Sequence, residues 1–179
     1  MRDFAVTVVG PDKPGIAAAI TGVLAQANAS IDDSRMTILG GHFAVMMLIS
    51  VPDELDESAL RGQLEAVRDD LGLEAALLGA VADYSNSARP QSTHVLTVYG
   101  VDHPGIVSAV CAALAASGVN IDDLATRVAS AGEVSLYTII CELTIPADVP
   151  VSQLEEVLRE VGTQQGVEVV LRELDEEVL

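Results

Sequence analysis

Gly10-Pro11-Asp12-Lys13-Pro14-Gly15-Ile16 is followed, ninety positions on, by Gly100-Val101-Asp102-His103-Pro104-Gly105-Ile106. Each phrase comes after a short Val-rich run and opens a run of small and aliphatic residues. Further along, Ser30-Ile31-Asp32-Asp33 matches Asn120-Ile121-Asp122-Asp123 at the same offset. Beyond that point the offset grows to 94, so that Val51-Pro52 aligns with Ile145-Pro146. Self-similarity at a fixed spacing marks a duplicated unit and decides the architecture before any local reading. The chain reads as two copies of one small domain, spanning 1–83 and 93–179. A polar linker over 84–92 joins them, rich in Ser, with Asn86 and Pro90.

The periodicities within a copy give the element order. Phe4 to Val9 is a short strand pattern ended by Gly-Pro-Asp. From Pro14 to Ala27 the residues Ile16, Ile20, Val23, Leu24 and Ala27 recur at helical spacing, with Pro14 expected in the first turn. Ile31–Leu39 and Phe43–Val51 read as strands joined at Gly40-Gly41-His42, a hairpin signal. Ser58–Leu71 places Leu60, Leu64, Val67 and Leu71 on one helical face, and Gly72 stops it. Leu73–Ala82 is a last strand. The second copy repeats the order. Val95–Tyr99 is a strand and Pro104–Ser117 a helix. Ile121–Ser130 and Val134–Ile145 form a hairpin about Ala131-Gly132. Val151–Val161 is a helix, Val167–Leu174 a strand, and an acidic tail follows. This β-α-β-β-α-β order predicts an α+β fold. Each copy is a ferredoxin-like, four-stranded antiparallel sheet with two helices on one face. Phe43–Ile49 is apolar at every position, where a half-solvated strand would alternate. In the second copy Val134, Leu136 and Ile140 are apolar opposite Tyr137, Ile139 and Cys141. Both patterns predict a cover on the helix-free face, supplied by the other domain or by a second chain.

Charge narrows the function. The net charge is −18, with five basic against thirteen acidic residues in 1–88 and four against fourteen in 89–179. Nucleic-acid binding draws most of its non-specific affinity from neutralising phosphates, so DNA, RNA and anionic membranes are poor partners. RNA-recognition domains share the element order but need sheet aromatics and a basic surface. This chain has two Phe, three Tyr and no Trp. Cys111 and Cys141 read as buried small hydrophobes without metal or CxxC spacing. With no signal-peptide pattern and no apolar run of spanning length, a cytoplasmic protein is expected. His42, His94 and His103 lack partners at ligand spacing and read as surface residues, His103 at most as a side chain of a ligand loop. No nucleophile elbow or phosphate loop occurs. The expectation is no catalysis, no metal and no cofactor.

The repeated loop has two readings. Gly10 and Gly100 end a strand, where glycine permits unusual backbone angles. Gly15 and Gly105 open a helix, where glycine lets another group approach the backbone. A helix N-terminus offers unpaired N–H groups and partial positive charge to a carboxylate, and Asp12 or Asp102 would accept from an ammonium. The loop therefore suits a free amino acid. Equally, Asp is a turn and capping residue and Pro-Gly a common helix start. In the register that turns Met36 and Ile38 toward the helices, Asp33 and Arg35 share the opposite face, as do Asp123 and Arg127.

Gly-x-Asp-x-Pro-Gly-Ile, followed by a helix and then Ser-Ile or Asn-Ile into a hairpin, resembles the ACT domain. The segment Ile31-Asp32-Asp33-Ser34-Arg35-Met36-Thr37-Ile38-Leu39-Gly40, with Phe43-Ala44-Val45-Met46-Met47-Leu48 after it, is similar to the glycine cleavage system transcriptional repressor family, which consists of two ACT domains. The resemblance covers nearly the whole chain. It implies a regulator that binds an amino acid, with glycine or serine the first candidates, at a seam between paired units. It also implies action on a protein partner, an activator or an enzyme, without touching DNA, in a homodimeric assembly. By resemblance the site residues are Asp12, Lys13, Gly15 and Ile16 in one copy and Asp102, His103, Gly105 and Ile106 in the other. Asp33, Arg35, Asn120 and Asp123 would stand at the seam. The copies depart from the family pattern differently. The first keeps Ser34-Arg35 but has Ser30 where Asn is usual. The second keeps Asn120 but has Leu124-Ala125. Two equivalent sites and one composite site both remain open.

Overall fold

The computed structural model describes residues 1–81, 91–131 and 134–174. Residues 84–90 of the expected linker, the centre of the second hairpin, the Val134 side chain and the end of the acidic tail lie outside the described residues. The chain divides into two compact units, Met1–Ala88 and Arg89–Leu179. The first contains β1 (Arg2–Pro11), α1 (Ile16–Gln26), β2 (Ser30–Leu39), β3 (His42–Val51), α2 (Glu57–Leu71) and β4 (Ala75–Ala80). The second contains β5 (His94–Val101), α3 (Ile106–Ala116), β6 (Asn120–Ala131), β7 (Val134–Thr144), α4 (Val151–Gln165) and β8 (Val167–Glu173).

Each unit is one antiparallel four-stranded sheet, ordered β2-β3-β1-β4 or β6-β7-β5-β8. Alternation decides which face carries the helices. Phe4, Val6 and Val8 on β1, with Phe43, Val45, Met47 and Ile49 on β3, form one buried cluster with Ile16, Ile20, Leu24, Leu60 and Leu64 of the helices. Leu96, Val98, Ile139, Cys141 and Leu143 do the same with Ile106, Val110, Leu114, Leu154 and Leu158. Each fully buried Leu or Ile contributes on the order of 1.5–3 kcal/mol by leaving water.

The two glycines of the repeated loop have exchanged the roles expected of them. Gly10 and Gly100 have ordinary backbone angles, and space is what requires them. A Cβ on Gly10 would stand 2.8 Å from Leu73 Cα, and one on Gly100 would stand 2.7 Å from Val167 Cγ1. Gly15 and Gly105 are the residues with unusual angles, φ 99° and 106°. These left-handed N-caps begin the helices at Ile16 and Ile106, so Pro14 and Pro104 lie in the turn before the first helical residue. Gly40 and Gly41 also have positive φ, 58° and 82°, the backbone a two-residue hairpin turn requires.

Two other expectations need correction. His94 is only 8% exposed and pairs with Leu143 on the core-facing side of its sheet. Its position at the strand start hid the inward phase. Cys141 is buried, but Cys111 on α3 is only half-buried. Met46 and Leu77, on the helix-free face, are 55% and 60% exposed. Within the unit the side chains of β3 therefore alternate between the core and this second, apolar face.

Candidate functional site

In each unit the loop between the first strand and the first helix is fixed at both ends. The Asp12 N–H donates to the Gly41 carbonyl at 2.8 Å, and the Asp102 N–H donates to the Ser135 carbonyl at 3.0 Å. Ile16 and Ile106, each 1% exposed, anchor the helix starts in the cores. No side chain caps α1 or α3. By contrast, Asp56 caps α2 through the N–H groups of Ser58 and Ala59. The first N–H groups of α1 and α3 thus keep the donor capacity and partial positive charge of a bare helix start. Asp12 and Asp102 are exposed beside them.

Lys13 and His103 turn toward the end of the second helix of their unit. Lys13 Nζ lies 3.9 Å from where a Cβ on Gly72 would stand, and Gly72 is the C-cap of α2. His103 Nε2 lies 2.7 Å from the Gln165 carbonyl oxygen, and Nδ1 lies 3.1 Å from the Pro104 carbonyl oxygen. A cationic group at a helix C-terminus complements the macrodipole. The carbonyls of Gln165 and then Pro104, helped by the charge of Asp102, raise the His103 pKa above its ordinary value of 6.5.

In the second unit this loop walls an open depression of about 490 Å³, lined by Asp102, His103, Gly105, Ile106, Ser108 and Tyr137 among others. Its size is within the usual range for small-molecule sites. It offers a carboxylate, an imidazole, two hydroxyls and the start of α3. Ser108 and Tyr137 were missed in the sequence. Aligning the copies finds them, because their counterparts at the two offsets are Ala18 and Phe43. Phe43 is buried at 3% exposure, whereas Tyr137 is only half-buried.

The remaining site candidates stand elsewhere in their units. Asp33 pairs with Leu48, Arg35 with Met46, and Asp123 with Glu142, all on the helix-free face. Arg127 shares that face opposite Thr138. The arginines of the two copies are thus two residues out of step, because Arg35 aligns with Ala125. Asn120 pairs with Thr144, seven residues along β7 from Tyr137, or roughly 23 Å at ordinary strand rise. Within a unit, the loop residues and the sheet residues do not converge on one point.

The Asp32 and Asp122 side chains have a local use that the sequence did not disclose. Each sits at a register shift, between Ile31 and Asp33 or between Ile121 and Asp123. Asp32 accepts from the Ser50 hydroxyl at 2.5 Å. Asp122 accepts from Thr144 at 2.6 Å, Ser92 at 3.0 Å and Asn120 at 2.6 Å. These side-chain bonds tie the bulge residue to the neighbouring strand. Among the described residues, no group of three His, Cys, Asp or Glu side chains could hold a metal ion. No described helix is long and apolar enough to cross a membrane.

Family models described as ACT domain match residues 2–80 and 94–163. The chain belongs to the ACT domain family. Its two ACT units stand in tandem, as the repeat predicts. A protein of unknown function from Galdieria sulphuraria has the same layout, with 28% identity over 97% of this chain and 99% of that one and a TM-score of 0.81. A candidate glycine cleavage system transcriptional repressor shares the fold at 19% identity, with a TM-score of 0.67 over 98% of both chains. Phosphoserine phosphatase SerB2 of Mycobacterium tuberculosis is 35% identical over 119 residues, covering 65% of this chain but only 29% of that enzyme. A UPF0237 protein of Methanopyrus kandleri is 40% identical over 75 residues, which is 83% of its length. ACT units are regulatory modules, and this chain has their regulatory character.

Proposed function

We propose that the protein is a non-enzymatic regulator that binds a free amino acid and relays its presence to a protein partner. The depression at the start of α3 carries this reading. An uncapped helix N-terminus there suits the ligand carboxylate, and Asp102 suits its ammonium. Glycine and serine are the first candidates, since the space beside Gly105 is open and Ser108 and Tyr137 offer hydroxyls. The first unit holds the equivalent loop through Asp12, Lys13, Gly15 and Ile16. Asp33, Arg35, Asn120 and Asp123 are proposed for a seam between units or chains, in a cytoplasmic homodimer with domains at 1–83 and 93–179. The partner would be a DNA-binding activator, with control of glycine-cleavage type. The acidic chain supports protein contact over DNA contact. Signalling follows from different ligand affinity for two packings of the units or subunits.

The relation to a phosphoserine phosphatase favours a second reading, in which the protein regulates an enzyme of amino-acid metabolism in trans. Thermal melts with each of the twenty amino acids test the shared premise. A ligand at about 100 times its dissociation constant adds roughly 2.7 kcal/mol. A flat panel would remove the sensing reading. Whether a purified activator or a purified enzyme binds in a ligand-dependent way separates the two partners.

A further inference from the structure

Both ring nitrogens of His103 face oxygen atoms that can only accept. Nε2 is 2.7 Å from the Gln165 carbonyl and Nδ1 is 3.1 Å from the Pro104 carbonyl. A neutral imidazole carries one N–H and presents a lone pair at the other nitrogen. Only the imidazolium satisfies both contacts, and the neutral ring sets a lone pair against a carbonyl. The two contacts differ in what they join. Pro104 is the next residue of the same loop and orients the ring. Gln165 is the last residue of α4, sixty-two positions away, and ties the loop to that helix.

We infer that His103 is a proton-operated latch, holding the β5–α3 loop against the end of α4 firmly when the ring is charged and more weakly when the ring is neutral. The groups facing the ring fit this assignment. From its own loop, Asp102 supplies the opposing charge. From α4, the facing groups are the Gln165 carbonyl and the negative end of the helix, whose last turn has no basic residue. From β7, the Tyr137 phenol lines the same depression. The first unit provides the contrast, because a lysine, Lys13, occupies the corresponding position beside Gly72. One copy places an imidazole at the end of the second helix and the other an ammonium.

The consequence for ligands rests on the amino-acid site proposed above. The loop supplies Asp102 and Gly105 to that site, and the imidazolium adds attraction for a carboxylate. Affinity at the second unit should therefore fall as pH rises through the His103 pKa. One linked proton limits the change to about tenfold per pH unit.

The test uses the full chain. Ring-nitrogen NMR on the wild type should show His103 titrating above the ordinary histidine value of about 6.5, with both nitrogens protonated below it. Titration at or below that value would overturn the latch. Thermal melts across pH 5.5 to 8.5, about one unit below and two above the ordinary histidine value of 6.5, should compare wild type with His103→Gln and His103→Lys. The wild type should lead His103→Gln at low pH, and the lead should shrink as pH rises. A constant difference would also overturn the latch, whereas His103→Lys should remove the pH dependence. Isothermal titration with glycine and with serine should then show affinity falling with pH in the wild type and not in His103→Lys. If neither binds at any pH, the amino-acid site loses its support, while the ring-nitrogen result still decides the latch.

Discussion

The two copies of the loop share a backbone and differ in the chemistry around it. Both have a crowded glycine at the strand end, a left-handed glycine before the helix and a buried isoleucine after it. These are the positions where geometry leaves no choice. Around them, Lys13, Ala18 and Phe43 in the first unit become His103, Ser108 and Tyr137 in the second. Two of these changes add a hydroxyl near the helix start, and the third replaces an ammonium with an imidazole. The difference teaches that the Gly-x-Asp-x-Pro-Gly-Ile phrase marks a fold requirement. Its neighbours, drawn from the following helix turn and from the third strand, distinguish a bare loop from a polar pocket.

The crowded glycines should give the largest effect, and they should not be equal. A Cβ at position 10 meets main chain, Leu73 Cα at 2.8 Å and the Glu74 nitrogen at 3.1 Å. At position 100 the nearest atom is a side-chain methyl of Val167, with Val167 Cα at 3.1 Å. Overpacking typically costs about 1–3 kcal/mol. Gly10→Ala should lie toward the upper end of that range and Gly100→Ala below it, because a methyl can turn aside more readily than a strand. Urea unfolding of both variants checks this. Equal losses would mean that β8 is as rigid at Val167 as β4 is near Leu73.

The left-handed glycines should behave alike. At φ 99° and 106°, with nothing else crowding either position, Gly15→Ala and Gly105→Ala should each cost about 1–2 kcal/mol. A marked asymmetry in the melts would show that the loops are held differently despite their matching angles. The pocket residues should show the reverse pattern. Ser108→Ala combined with Tyr137→Phe makes the second unit resemble the first, yet stability should change by only about 0.5 kcal/mol because both side chains reach solvent. What should fall is the amino-acid-induced rise in Tm. If a strong response in the wild type survives the double substitution, ligand recognition lies elsewhere.

Much of this architecture was legible because duplication repeated it. Period-two and helical patterns located all twelve elements within a few residues, and the two offsets implied a longer second hairpin. The mistakes have local physical causes. Glycine is required by space at position 10 and by φ at position 15, and a sequence shows the same letter for both. His94 lies at a strand start, where the alternation has too few residues behind it to set the phase. Asp32 was hidden by the register shift that it serves. Tyr137 is ninety-four positions from Phe43, and only the cross-strand pairing of each with Gly100 or Gly10 places them beside the repeated loop.

The same offset sets up the smallest expected difference, which vanishes at neutral pH. Cys141 aligns with Met47, and both side chains are buried on the helix-facing side of their sheets. Burial is the main cause that pushes the Cys141 thiol from its ordinary 9.0 up to about 11, with Cys111 and then Asp123 adding to it. A raised pKa means that the folded state holds its proton more tightly than the unfolded chain does. The resulting stability is fully present below about pH 9 and is lost progressively between 9 and about 11. Methionine has no proton to lose, so the first unit lacks this source of alkaline sensitivity. Hydrogen exchange, or melts that resolve the two units, should show the second losing stability selectively in that window. Cys141→Met, which copies the first unit, should flatten the alkaline limb. A selective loss that persisted in Cys141→Met would move the cause to another group of the second unit, with Tyr99 next in line because its hydrogen bond to Glu168 also raises its pKa.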